Sequence, residues 1–277
     1  MLRQRVQEET TVAPLPTRSS SARSQTVERA GLILGCFTPE HPHLTLAELA
    51  KQLELNESTA YRYIVSLQQA GLLERDRRQG GYRIGLRVIE LAGIALNQIE
   101  VRKHALDDLD SLRDQTCLMA NLGVLIEGDV LHLAQSPTKD IPRMYTVIGR
   151  RAVAHCTALG KVLLAHLPWR EARARVKQFG WRPYTTHSIC NFNVLQRELE
   201  AVCKRGYAID CEERRLGVMC AAAPIRERGG RVIAAVSASG PRDRVRDQLE
   251  AKVLPAVLEA AHHISFRLGH QGNSGYL

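Results

Sequence analysis

The stretch "NESTAYRYIVSLQQAGLLERD", residues 56–76, sets short hydroxyls, two tyrosines and an arginine at the opening of a helical pattern. Ser58 and Thr59 carry hydroxyls that suit a phosphate oxygen, and Tyr61 and Arg62 are long enough for a base edge or the backbone. Arg75, Arg77 and Arg78 follow closely. From Ser58 to Arg83 five arginines stand against Glu74 and Asp76, a local charge of +3. A solvated helix face typically carries Glu and Lys pairs; this one carries none. The chemistry such a surface suits is contact with the phosphates and base edges of double-stranded DNA.

A second reactive set is made of thiols. Cysteines 36, 117, 156, 190, 203, 211 and 220 are odd in number and form no CxxC pair, which fits reduced, buried thiols in a reducing compartment. His155, Cys156, Cys211 and Cys220 are metal-ligating types without diagnostic spacing. A cysteine hydrolase would use Cys156 with His155, or Cys220 with a distant histidine. Neighbours on an extended segment point to opposite faces, so His155 and Cys156 are badly set as a pair if that segment is extended. No GxSxG, P-loop or HExxH occurs. A cysteine-based metal or redox sensor and a small-molecule enzyme stand as the competing readings. Catalytic residues, metal and cofactor are expected to be none.

The elements that position these residues follow from periodicity. At 277 residues and 44% hydrophobic content the chain can build two domains. Residues 1–24, with Pro14, Pro16 and four serines, read as a disordered tail. No secretory segment or apolar span of about 18 residues is seen, so a soluble, cytoplasmic protein without membrane contact is expected. The net charge of +9 says little by itself, because residues 1–85 hold eleven basic and nine acidic side chains.

Residues 25–37 carry Val27, Ala30, Ile33 and Phe37 at helical period. Thr45 and Glu48 form a capping box ahead of Leu46, Leu49, Ala50 and Leu53. After a short link, Asn56 caps a helix whose inner side is Ala60, Tyr63, Ile64 and Leu67. "LLERDRRQGGYRIG" then reads as a hairpin turning at Gly80 and Gly81. This is the order of a winged helix-turn-helix, residues 25–85. Residues 86–100 form a linker helix too apolar to sit alone in water, which predicts pairing with the same helix of a second chain. Residues 101–268 alternate helices and strands as an α+β domain, with a strand around 142–149 and a last helix over 243–268 kinked at Pro255. Residues 269–277 form a tail.

The chain resembles the IclR (isocitrate lyase regulator) family of bacterial transcription factors from about Gln25 to Ser265. The stretches that carry the resemblance are "VERAGLILGCF", "LTLAELAKQLELNESTAYRYIVSL", "YRIGLRVIELAG", "HCTALGKVLLA" and, above all, "RGYAIDCEERRLGVMCAAAPI" with "AAVSASGP". The resemblance implies a ligand-responsive regulator of a catabolic operon. It also implies a C-terminal effector-binding domain of GAF-like fold, and dimers that in many members pair into tetramers on DNA. It assigns effector contacts to Ala158 and Leu159 at a helix N-terminus, to Asp210 and Cys220, and to Ser237 and Ser239, with Ile141, Met144 and Val218 as an apolar wall. Unsatisfied N–H groups and the helix dipole at Ala158 suit a small carboxylate. Leu159 is larger than the residue the family often has there. Aromatic acids and short 2-oxo acids both fit as effector.

Overall fold

The computed structural model describes residues 24–78, 80–138 and 148–271. Most of the expected N-terminal tail, residues 272–277, most of the strand expected around 142–149, and Ile141 and Met144 lie outside the described residues. The chain divides into two compact units between Ala95 and Leu96. Among the described residues no helix is long and apolar enough to cross a membrane.

The first unit contains α1 (Gln25–Gly35), α2 (Leu46–Gln52), α3 (Glu57–Gln69), β1 (Leu73–Arg75), β2 (Tyr82–Ile84) and most of α4 (Arg87–Asn97). The Thr45–Glu48 capping box forms in both directions: the Thr45 N–H donates to Glu48 Oε2 at 2.7 Å and the Glu48 N–H to Thr45 Oγ1 at 3.3 Å. This fixes the start of α2. Ile33, Leu49, Ile64 and Leu67 meet Leu44, Leu73 and Tyr82 in one core. Val27, read as inward-facing, is exposed instead, near the start of α1. The hairpin β1–β2 gains a third line of backbone bonds, with Leu44 and Tyr82 exchanging N–H···O bonds of 3.0 and 2.8 Å. Gly81 makes this approach feasible: its φ is +80°, and a Cβ there would lie 2.5 Å from the Leu44 carbonyl oxygen.

Helix α4 has no buried residue within the chain. Leu86, just ahead of it, and Ile89, Leu91 and Ile94 are 64, 67, 45 and 58% exposed.

The second unit is built on a six-stranded antiparallel sheet in the order β5-β4-β3-β8-β7-β6. Its strands are β3 (Met119–Ile126), β4 (Asp129–Ser136), β5 (Arg151–Val153), β6 (Ala208–Cys211), β7 (Val218–Arg226) and β8 (Val232–Pro241). One face packs α5 (Glu100–Thr116), α9 (Arg242–Asp247) and α10 (Leu254–Arg267). The other packs α6 (Ala158–Ala165), α7 (Trp169–Phe179) and α8 (Phe192–Arg205). Strand β7 shows why both faces are covered: Ala221 and Ala223 belong to the first core and Ala222 to the second, as a period of two requires.

The C-terminal helix differs from expectation. It is broken before the proline into α9, a π-helical turn Leu249–Val253, and α10, whose first turn holds Pro255. A proline lacks the N–H that a helix interior needs, and the π turn sits just ahead of it. Helical geometry lapses at Gln248 (φ −122°, ψ 15°), and the π turn then runs on into α10 through Val253 and Leu254, both in right-handed helical geometry.

Candidate functional site

The first candidate surface is set by where the acids go. Asn56 caps α3, accepting from the Thr59 N–H at 2.8 Å and from Ser58 Oγ at 2.9 Å. Ser58, Tyr61 and Arg62 are exposed on one side of the helix, and Thr59 is half-buried. Tyr63 turns inward, where Arg29 lies over its ring at 5.9 Å and hydrogen-bonds its hydroxyl.

In the hairpin, Glu74 takes the Arg83 guanidinium at 3.1 Å and the Leu86 N–H at 3.0 Å. Asp76 accepts from the Arg78 N–H at 2.8 Å and meets His43 at 3.1 Å. Both acids are spent on shaping the turn. The side chains of Arg62, Arg75, Arg77 and Arg78 keep no ion-pair partner among the described residues and are exposed. The charge this surface presents is thus more one-sided than its composition suggests.

The second candidate site is a polar patch on the sheet face under α6. Register lines Asp210 up with Cys220 and Cys220 with Ser239 across β6, β7 and β8. One step along the same face, Ala222 stands beside Ser237, and Ser237 beside Asn121 of β3. Asn121 Nδ2 donates to Ser239 Oγ at 2.8 Å. Val218 is half-buried at the start of β7, opposite Pro241, with the same facing as Cys220. Ala158 and Leu159, in the first turn of α6, are buried in the same apolar cluster as Cys220 and Ala222.

Thr157 fixes the start of that helix. Its hydroxyl accepts from the Gly160 N–H at 3.2 Å and donates to the Val153 carbonyl at 2.8 Å. The helix sits close because residue 160 is glycine: a Cβ would be 2.2 Å from the Ala154 backbone. The N–H groups of Ala158 and Leu159, in the first turn, have no intrahelical acceptor.

Three residues here were not singled out in the sequence: Asn121, Lys161 and Glu213. Lys161 is 2% exposed, and its Nζ reaches the Ile209 carbonyl and Glu213 Oε1, each at 2.5 Å, and Glu198 Oε1 at 3.2 Å. Arg205 holds Glu198 from outside at 2.8 Å. A lone lysine inside "ALGKVLLA" and a lone asparagine inside "MANLGVLI" were the available signals, since such residues are rarely buried without partners.

Asp210 is 3% exposed and accepts from the Glu213 N–H at 2.8 Å. Burial, then the neighbouring Glu213 charge, push its carboxyl up to about 7, against the opposing pull of backbone donors and Lys161. Burial also raises Glu213, but the Lys161 charge and hydrogen bond counteract it.

The thiols are unsuited to attack. Burial and the Asp210 charge raise both Cys156 and Cys220. His155 stands in a turn, edge-on to Trp181 at 5.1 Å, and burial lowers it to about 4. All seven cysteines are free, and no metal-ligating group forms among the described residues.

A helix-turn-helix with a basic hairpin, followed by a sheet clad by helices on both faces, defines a DNA-binding regulator with an effector domain. Residues 26–77 match the IclR helix-turn-helix domain, and residues 93–266 match the family described as bacterial transcriptional regulator IclR C-terminal. The chain belongs to the IclR family of bacterial transcriptional regulators. It is 31% identical to the HTH-type transcriptional regulator XynR of Escherichia coli, over 89% of this chain and 98% of that one. Among solved structures, IclR of Thermotoga maritima superposes with a TM-score of 0.68 at 28% identity, covering 88% of this chain and 99% of that one. An IclR homolog from Microbacterium hydrocarbonoxydans, complexed with 4-hydroxybenzoate, superposes at 0.77 with 26% identity, covering 88% and 99%.

The raised Asp210 carboxyl has a consequence for stability. Its folded value lies above the ordinary 3.8, so the stability it contributes is complete at low pH and is lost as pH rises through about 7. Asp210→Asn keeps the acceptor for the Glu213 N–H and removes the ionisation. Its unfolding free energy, relative to the native chain, should therefore rise between pH 4 and 8, by up to roughly 4 kcal/mol. Urea unfolding across that range checks this, and a pH-independent difference would contradict the burial of an unpaired carboxyl.

Proposed function

We propose that α3 is the recognition helix and the β1–β2 hairpin a wing, with Ser58, Thr59, Tyr61 and Arg62 meeting the major groove and Arg75, Arg77 and Arg78 meeting phosphate. The observation that carries this reading is the set of unpaired arginines left exposed beside a capped, polar first turn. The apolar side of α4, exposed in one chain, is covered by the same helix of a second chain, so that two recognition helices address paired half-sites.

We further propose that Asp210, Cys220, Ser237, Ser239 and the first turn of α6 hold a small organic acid, with Val218 as wall. Asn121 belongs with them. The reading of Ile141 and Met144 as further wall residues rests on the resemblance alone. The 4-hydroxybenzoate bound to the Microbacterium homolog makes an aromatic acid the first candidate. Ligand would favour one dimer geometry over another, at a difference of a few kcal/mol, and so change operator affinity for a catabolic operon. The protein would work in the cytoplasm as a regulator and not as an enzyme.

Two measurements test this. Anisotropy with duplexes from upstream of the protein's own gene should show saturable binding with a steep salt slope. Arg62→Ala should weaken it by about 1–3 kcal/mol and relax the sequence preference; unchanged affinity would remove Arg62 from the interface. Light scattering of Ile89→Glu should report a monomer where the native chain is a dimer, and an unchanged mass would assign the α4 face another role.

A further inference from the structure

We propose that the effector site takes its anionic ligand together with one proton, carried on the Asp210 carboxyl, and that the Lys161–Glu213 ion pair keeps the proton there. This rests on reading the Asp210 patch as the effector site.

Two acidic residues sit at the end of β6 and the start of the loop after it, and the Glu213 backbone N–H donates to Asp210 Oδ1 at 2.8 Å. One cation, Lys161, is buried beside them. Its partners are the Ile209 carbonyl, Glu213 and Glu198, with no ion pair to Asp210. The groups facing Asp210 come from each neighbouring element: Lys161 from α6, Cys156 from the turn before it, Glu213 and Arg214 from the loop after β6, and Cys220 from β7. Arg214 contributes its backbone N–H, while its guanidinium lies 3.6 Å from the Tyr184 ring centroid. Lys161 offsets the burial of Glu213, and Asp210, without an ion pair of its own, is left to bear its burial and the like charge.

A neutral Asp210 changes what the patch can hold. Its O–H donates, as do the hydroxyls of Ser237 and Ser239, the Cys220 thiol and the first N–H groups of α6. An ionised Asp210 would repel a carboxylate. Above about pH 7 the free site must therefore take a proton from solvent as it binds. The balance is Asp210 carboxylate plus one proton plus ligand carboxylate, giving a carboxylic acid that donates to the ligand oxygen. Lys161 acts as a positioning residue, because it selects which carboxyl is neutral without touching ligand.

The test uses the full chain with aspartate carboxyls labelled in carbon-13. The resonance missing from Asp210→Asn should titrate within about a unit of 7. In Lys161→Met it should titrate lower: losing the Lys161 charge raises it, but Glu213 without its cation takes the proton and ceases to repel, and that repulsion is the larger effect. A native midpoint below about 5, or no movement in a folded Lys161→Met, overturns the proposal.

Calorimetry of 4-hydroxybenzoate at about pH 8, in buffers of different ionisation enthalpy, should show uptake approaching one proton per ligand for the native chain and none for Asp210→Asn. Affinity should fall nearly tenfold per pH unit above that point. Binding without proton uptake also overturns the proposal, whether or not Lys161→Met folds. Absence of any binding counts against the effector class proposed above, and the carboxyl titration then decides the placement of the proton.

Discussion

Lys161 holds Glu213 at 2.5 Å beneath the first turn of α6, and much of the second unit's polar architecture depends on that contact. An unpaired ammonium this deep would cost several kcal/mol. Its partners come from three places in the chain: Ile209 within β6, Glu213 in the loop after it, and Glu198 of α8. Satisfying one lysine therefore draws α6, α8 and the β6–β7 connection together. The same loop is strapped from outside by the Thr185 and Ser188 hydroxyls, which donate to the carbonyls of Glu212 and Glu213 at 2.7 and 2.6 Å. A polar patch can exist between sheet and helix only because its surroundings are fixed in this way.

The first unit follows the opposite logic. The acids of its hairpin are absorbed by structure, while Arg62, Arg75, Arg77 and Arg78 are left without an ion pair among the described residues. Glu74 ties the hairpin to the start of α4, and Asp76 shapes the turn. A surface built like this keeps its cations available for phosphate without a competing internal partner, which favours both affinity and salt dependence. Asn56 adds direction, since it holds the opening of α3 while its own cap leaves Tyr61 and Arg62 pointing outward.

Much of this was legible in the sequence, for identifiable reasons. Helical period with caps at Thr45 and Asn56 located α2 and α3, because capping chemistry is local. The alternation of Ser237 and Ser239 put both on one face because strand geometry is local too. What stayed hidden depends on distance along the chain. The partners of Lys161 lie 37 to 52 residues away at Glu198 and Glu213, and Asn121 meets Ser239 across 118 residues. The break was misplaced because Pro255 is the visible breaker, whereas helical geometry lapses at Gln248, where no breaker residue stands.

Hydrogen–deuterium exchange of the full chain, with operator duplex and separately with a small aromatic acid, tests the central claim most directly. The account predicts that DNA slows exchange around residues 56–62 and 73–84, and that the acid slows it around 157–161, 208–220 and 237–239. Slowing by the acid confined to another face of the sheet, or by DNA outside α3 and the hairpin, would contradict it.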